Sequence, residues 1–160
     1  MAILESRELS WPDEAACQQF AEALAHAPGL MDASIELQGG LGAGKTTLVR
    51  HLLRALGVEG RIKSPSYAVL ESYELPQGVA SHFDFYRFDD PREWLDAGFR
   101  DVFVAPGLKL SEWPDKAAGM LPVPDLAIHM EALDDQSRRV RIDAGTERGR
   151  ALLAALGPSS

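Results

Sequence analysis

The stretch GGLGAGKTT, residues 39–47, decides the fold predicted for this chain. Gly39 is followed by four residues and then by Gly-Lys-Thr at 44–46, which is the spacing of a phosphate-binding loop. The glycines let the backbone curl into a concave nest of N–H groups, and the helix that follows adds its positive N-terminal end. Lys45 is predicted to reach the β- and γ-phosphates of a nucleotide, and the Thr46 hydroxyl to bind Mg²⁺. The residues predicted to bind the nucleotide are Leu41, Gly42, Ala43, Gly44, Lys45, Thr46 and Thr47.

The segments around this loop predict an α/β fold. Residues 33–38 alternate apolar and polar side chains, which is typical of a strand with one apolar face, so one side of the sheet is expected to be thinly covered. Residues 45–56 place their leucines on one helical face, and Gly57 is the predicted C-terminal cap. Residues 67–88 and 126–143 each have the pattern of an antiparallel hairpin. We therefore predict a three-layer, P-loop NTPase-like fold with a mixed parallel and antiparallel central sheet flanked by helices.

The N-terminal residues predict a strand and a helix ahead of this unit. Residues 3–9 are a candidate short strand, although their alternation is poor. Ser10 is predicted to cap the helix, because a first-turn proline and two acids follow it. Further along the chain, a short helix is predicted to begin at Asp90–Pro91 and run to about residue 97, and a final amphipathic helix to span residues 147–156.

Composition limits the possible functions. The chain has 160 residues and a formal net charge of −8, with Cys17 as its one cysteine. One domain over residues 1–160 is the expectation at this length, and no apolar run is long enough to span a membrane. With no signal-peptide pattern at the N-terminus, we expect a cytoplasmic protein without a membrane partner. Its acidity argues against autonomous binding to a nucleic-acid backbone, so any RNA would be held by a partner.

Two acids are candidates for the second ligand that a phosphate-bound magnesium needs at the end of a neighbouring strand. Glu112 follows the strand-like segment at 108–110, and Asp84 follows His82–Phe83. The alternative for either residue alone is a solvated carboxylate at a strand end. Ser64–Pro65–Ser66 has the pattern of a switch segment that could close on the γ-phosphate, or of a simple proline-containing turn.

Taken together, four motifs resemble one family, TsaE (also called YjeE), the P-loop ATPase of bacterial tRNA threonylcarbamoyladenosine (t6A) biosynthesis. These motifs are GGLGAGKTT at 39–47, SPSY at 64–67 with a tyrosine at 73, HFDFYR at 82–87 and EWPDK at 112–116. Two positions depart from the family pattern: Gly40 replaces an acid, and Ser66 replaces threonine. The resemblance covers most of residues 10–131.

The resemblance implies an ATPase that binds ATP and Mg²⁺ and works with the TsaB and TsaD proteins, reaching tRNA only through that complex. It assigns Lys45 to phosphate, Thr46 and Glu112 to magnesium, and Asp84 to a role needed for hydrolysis, so that the predicted catalytic residues are Lys45, Asp84 and Glu112. Ser64–Pro65–Ser66 resembles the switch-like loop of the family. Hydrolysis is expected to be slow for the protein alone and faster with its partners.

Two other functions remain as alternatives. A small-molecule kinase commonly needs an arginine-bearing lid over the phosphates. Arginines do occur at positions 138, 139 and 141, but their pattern fits a solvated strand face. The second alternative is a nucleotide-gated binding module without useful hydrolysis, for which the same loop and magnesium ligands would serve.

Overall fold

The computed structural model describes residues 2–62, 70–86, 98–117 and 119–157. Two sequence predictions fall outside these residues: the switch-like segment Ser64–Pro65–Ser66 and the helix expected from Asp90 to residue 97. The strands are β1 (Glu5–Trp11), β2 (Ser34–Gln38), β3 (Leu70–Leu75), β4 (Gly78–Asp84), β5 (Leu108–Glu112), β6 (Leu126–Ala132) and β7 (Arg138–Ala144). The α-helices are α1 (Glu14–Ala25), α2 (Lys45–Leu56), α3 (Phe99–Val104) and α4 (Glu147–Ala155), and 3-10 helices occupy Leu30–Asp32 and Pro114–Ala117.

The described strands form one seven-stranded sheet in the order β1-β7-β6-β2-β5-β4-β3. β2 pairs in parallel with β5 and with β6, and β4 pairs in parallel with β5. The β3–β4 and β6–β7 hairpins are antiparallel, as predicted, and β1 adds an antiparallel strand beside β7. This mixed sheet with flanking helices confirms the predicted α/β class.

The main hydrophobic core lies between one face of the sheet and helices α1, α2 and α4. Buried side chains from each layer meet there, including Leu24 of α1, Ile35 of β2, Leu53 of α2, Ile142 of β7 and Leu152 of α4. These apolar side chains recur at helical or alternating spacing, so each element buries one face.

The opposite face of the sheet has a smaller apolar cluster and an open polar region. Phe83, Phe85, Phe103 and Ala117 form the cluster, which covers the β4–β5 end. On β2 this face carries Ser34, Glu36 and Gln38, all half-buried. The thin cover predicted for one side of the sheet is therefore found at β2.

The N-terminal boundary differs from the prediction. β1 continues through Ser10 to Trp11, where it pairs with Arg138 of β7, and the helix starts only at Glu14. Asp13, not Ser10, is the N-cap, and its carboxylate accepts a hydrogen bond from the Ala16 N–H at 3.0 Å. The pairing of β1 with β7 uses Ser10 in the sheet, so the next residue able to cap takes the role.

Among the described residues, no helix combines the length and the apolar character that crossing a bilayer requires.

Candidate functional site

The candidate site lies at the edge of the sheet where three parallel strands end. The 39–44 loop follows β2, Asp84 ends β4 and Glu112 ends β5. In the strand register, Glu112 lies opposite Asp84 on one side and Leu37 on the other. Carboxyl ends of parallel strands meet at one edge, so residues far apart in sequence converge there.

Two positions of the loop favour glycine, one because the backbone approaches β6 closely and one because its φ is positive. A Cβ at Gly39, where φ is +152°, would lie 2.5 Å from the main-chain oxygen of Met130. Gly44 has a φ of +102° and is the N-cap of α2. Side chains would be strained at both positions, which explains why glycines stand where the loop bends onto the strand and enters the helix.

Thr46, Glu112 and His82 form a chain of hydrogen bonds that reaches into the interior. The Thr46 hydroxyl lies 3.2 Å from Glu112 Oε1, and Glu112 Oε2 lies 2.6 Å from His82 Nε2. Glu112 and His82 are 2% and 1% exposed. A threonine hydroxyl and a carboxylate are the hard oxygen ligands that Mg²⁺ prefers. The two side chains therefore fit a magnesium ion, whose other ligands would come from phosphate and water.

Lys45 is buried and is held by the protein itself. Its Nζ donates a hydrogen bond to the main-chain oxygen of Gly39 at 2.6 Å and lies 3.5 Å from the centroid of the Trp113 ring, a cation–π contact. Burial lowers the pKa of the Lys45 ammonium, while Glu112 and Asp84 oppose that change. The Gly39 carbonyl is a neutral acceptor for this ammonium. An anion that enters the loop would be a charged partner in its place.

Asp84 is a half-buried carboxylate beside this cation. Burial raises its pKa above the ordinary value, a hydrogen bond from the Tyr86 N–H opposes the rise, and Glu112 adds to it. That hydrogen bond is 3.0 Å long and fixes Oδ1. The environment of Asp84 therefore disfavours the charged form of its carboxyl, as is common for catalytic acids and bases.

Trp113 closes the same region with an uncommon backbone conformation. Its φ is +56°, the one positive φ found for a non-glycine residue in the described part of the chain. Such a conformation costs on the order of 1–3 kcal/mol and persists only where surrounding contacts impose it. Here the indole ring contacts both the Lys45 ammonium and the Tyr86 ring, and the centroids of the two rings are 5.0 Å apart.

Two adjoining cavities lie along the loop. The first, of about 330 Å³, is lined by every residue predicted to bind the nucleotide, together with Asp84 and Glu112. The second, of about 360 Å³, is lined by Trp11, Cys17 and Met130 and by polar groups of the β6–β7 turn. Both lie against Gly44, Thr47 and Arg138. Each volume is in the range of small-molecule sites, so a phosphate chain and a nucleoside could occupy neighbouring spaces.

The structure thus brings all the described site predictions together, while Ser64, Pro65 and Ser66 lie outside the described residues. The prediction for Arg138 was wrong: it does not lie on a solvated strand face but is half-buried against the loop, where its Nε donates to the Ala43 oxygen at 2.9 Å. The second cavity was also missed. No local spacing connects Trp11, Met130 and Arg138, because only the strand order makes them neighbours.

The chain is similar to known proteins in sequence and in fold. The family model described as "Threonylcarbamoyl adenosine biosynthesis protein TsaE" matches residues 11–140. A tRNA threonylcarbamoyladenosine biosynthesis protein TsaE from Haemophilus influenzae is 37% identical over 138 residues, covering 86% of this chain and 87% of that protein. The protein of that name from Bacillus subtilis is 31% identical over 110 residues, covering 69% of this chain and 68% of its own. The crystal structure of Bacillus subtilis YdiB has a TM-score of 0.75 at 24% identity and covers 98% of this chain and 97% of its own, which supports the fold. The chain therefore belongs to the TsaE family, as its four motifs predicted.

Proposed function

We propose that this protein binds and hydrolyses ATP with Mg²⁺ as a subunit required for t6A modification of tRNA, acting with TsaB and TsaD. One observation carries the proposal: Lys45, Thr46, Asp84 and Glu112 line a single cavity around a phosphate-binding loop. The sheet that builds this cavity runs from residue 5 to residue 144, which supports one ATPase domain over residues 1–160.

The binding roles follow from charge and position. Lys45 exchanges its contact with the Gly39 carbonyl for the β- and γ-phosphates, because a phosphate oxygen is a stronger partner for an ammonium than a neutral carbonyl. Thr46 and Glu112 would hold the magnesium ion. The magnesium ion, when bound, neutralises the charge that develops on the phosphates. The loop N–H groups and the N-terminus of α2 hold the phosphate chain next to Thr46 and Glu112.

Asp84 is assigned to the attacking water. Its carboxylate lies on the strand beside Glu112 and lines the phosphate cavity, so it can accept a hydrogen bond from a water there. Its raised pKa makes it a better proton acceptor than an ordinary aspartate.

Slow turnover by the protein alone is part of the proposal. Lys45 is engaged with Gly39 and Trp113, so those contacts must break before the ammonium reaches a phosphate. A partner that favours the rearranged site would increase the rate. The net charge of −8 supports a division of labour in which TsaB and TsaD hold the tRNA.

Calorimetry and a phosphate-release assay test the proposal. We expect Mg²⁺-dependent ATP binding, weak hydrolysis that rises when TsaB and TsaD are added, and t6A formation in a reconstituted reaction only when this chain is present. Lys45→Ala should weaken ATP binding, and Glu112→Gln should remove its Mg²⁺ dependence. Brisk turnover that ignores TsaB and TsaD would contradict the proposal.

Asp84→Asn separates hydrolysis from a purely nucleotide-gated binding role. If ATP binding and partner binding persist while turnover and t6A formation are lost, hydrolysis is the function. If the variant supports t6A formation at the normal rate, a binding module without useful hydrolysis is the better description.

A further inference from the structure

The side chain of Arg138 joins the phosphate-binding loop to the turn between β6 and β7. Its Nε and Nη2 donate to the main-chain oxygens of Ala43 and Gly42, at 2.9 and 3.3 Å. Its Nη1 donates to the main-chain oxygens of Asp134 and Ser137, both at 2.9 Å. A guanidinium has five N–H groups, and four hydrogen bonds here end on backbone carbonyls.

This arrangement differs from that of an arginine whose guanidinium binds a phosphate directly. Such a residue would present unused N–H groups towards the cavity, whereas most of those on Arg138 already have carbonyl acceptors. Its neighbour Arg139 provides a contrast, because that side chain is exposed and contacts Glu131 at 3.5 Å. Arg138 is therefore built into the loop, while Arg139 is a surface residue.

The bonded carbonyls determine where the loop N–H groups point. In a trans peptide the C=O and the next N–H lie on opposite sides of the chain. Because the Ala43 oxygen accepts from Arg138, the Gly44 N–H of the same peptide points away from this guanidinium, and Gly44 lines the phosphate cavity with Lys45 and Thr46.

The loop needs such support because little else holds its middle. Gly40, Leu41 and Gly42 are exposed, and Leu41 is 76% exposed. A glycine-rich segment has much conformational entropy to lose when it is fixed for binding. A side chain that holds two of its carbonyls reduces the part of that cost that the nucleotide must otherwise meet.

We infer that Arg138 is a positioning residue that holds residues 42–44 in the phosphate-binding conformation and links them to the 134–137 turn. The inference rests on the proposed nucleotide function. It predicts a loss of affinity and not of chemistry, because a preformed loop binds the phosphates equally in the ground state and the transition state. The Arg138 side chain thereby couples the turn beside the second cavity to the same loop.

The test compares Arg138→Ala, Arg138→Lys and the matched control Arg139→Ala by calorimetry with Mg-ADP, at a temperature where circular dichroism shows every variant folded. We expect Arg138→Ala to weaken binding about tenfold, which corresponds to the loss of charge-assisted hydrogen bonds, and Arg139→Ala to bind as the wild type does. In steady-state hydrolysis the KM for ATP should rise with kcat nearly unchanged. Arg138→Lys should recover only part of the affinity, because an ammonium cannot hold the loop and the turn together.

Three results would overturn the inference. These are wild-type affinity in Arg138→Ala, full recovery in Arg138→Lys, which would indicate a simple charge effect, and a fall in kcat with KM unchanged. Failure of the proposed function is distinguishable, since wild-type protein and Arg139→Ala would then bind no nucleotide either.

Discussion

Replacing His82 by alanine removes the interior partner of Glu112 and tests how the proposed magnesium ligand is held. The two side chains are joined by a 2.6 Å hydrogen bond, and both are almost completely buried. Without His82, the buried Glu112 carboxylate keeps the Thr46 hydroxyl but loses its short interior hydrogen bond, which costs about 3 kcal/mol. For a chain of this size that corresponds to a fall in Tm of roughly 6–12 °C.

The chain offers a matched control in a second histidine–carboxylate pair. His129 Nε2 lies 3.1 Å from Asp143 Oδ2, but this imidazole is 28% exposed. Asp143 also accepts a hydrogen bond from Ser6 and contacts Arg141 at 3.4 Å, so it keeps two partners when the imidazole is removed. His129→Ala should therefore cost only about 0.5–1 kcal/mol.

The assays are urea unfolding without nucleotide, and calorimetry with ADP over a range of Mg²⁺ concentrations at a fixed pH. We expect His82→Ala to raise the Mg²⁺ concentration for half-maximal binding at least tenfold, as is typical when a metal ligand loses its supporting hydrogen bond. His82→Gln, which restores a donor, should recover part of this loss. Equal, small stability losses in His82→Ala and His129→Ala, with an unchanged Mg²⁺ requirement, would refute the reasoning.

Three further predictions follow from other contacts. The pKa of Asp84 is raised in the folded protein, so between pH 3.8 and that raised pKa the folded state binds more protons than the unfolded state, and stability falls as pH rises. Asp84→Asn should therefore be at least as stable as wild type at pH 8 in urea unfolding, and this gain should be absent at pH 3. Its turnover should be lost. Gly39→Ala places a Cβ against Met130 and should lower the free energy of unfolding by about 2 kcal/mol or more and abolish nucleotide binding. In Gly40→Ala the Cβ meets no described atom, so thermal unfolding should show little change. Burial raises the pKa of the Cys17 thiol to about 11, so a thiol reagent at pH 8 should label the native protein far more slowly than the protein in urea.

The parts of the site that could be predicted are those whose physics is local. The loop, its lysine and the following helix are contiguous, so spacing alone predicted them. Glu112 and Asp84 could be named because each ends a strand-like run, and parallel strands place such ends together. The sequence did not determine which strands neighbour β2, so the 3.2 Å contact between Thr46 and Glu112 required the observed order β6-β2-β5.

The missed features depend on contacts between distant segments. Ser10 has the side chain of a good N-cap, but the pairing of β1 with β7 includes it in the sheet and leaves Asp13 to cap the helix. Arg138 has the alternating pattern of an exposed strand residue. Its position at the first residue of β7, beside a loop almost a hundred residues earlier in the chain, becomes evident only from the folded sheet.

The departure at Gly40 takes a different meaning once the loop contacts are known. Gly40 is exposed, and a Cβ there would have no heavy atom of the described residues within 4 Å. The first side-chain atom at this position would thus contact no described residue, whereas Arg138 holds two loop carbonyls directly. The loop conformation therefore does not require the acid, and the change to glycine does not weaken the prediction that phosphate binds here. We expect the replacement of the acid by Gly40 to affect partner binding at the exposed side of the loop, because it changes the charge and shape of that surface.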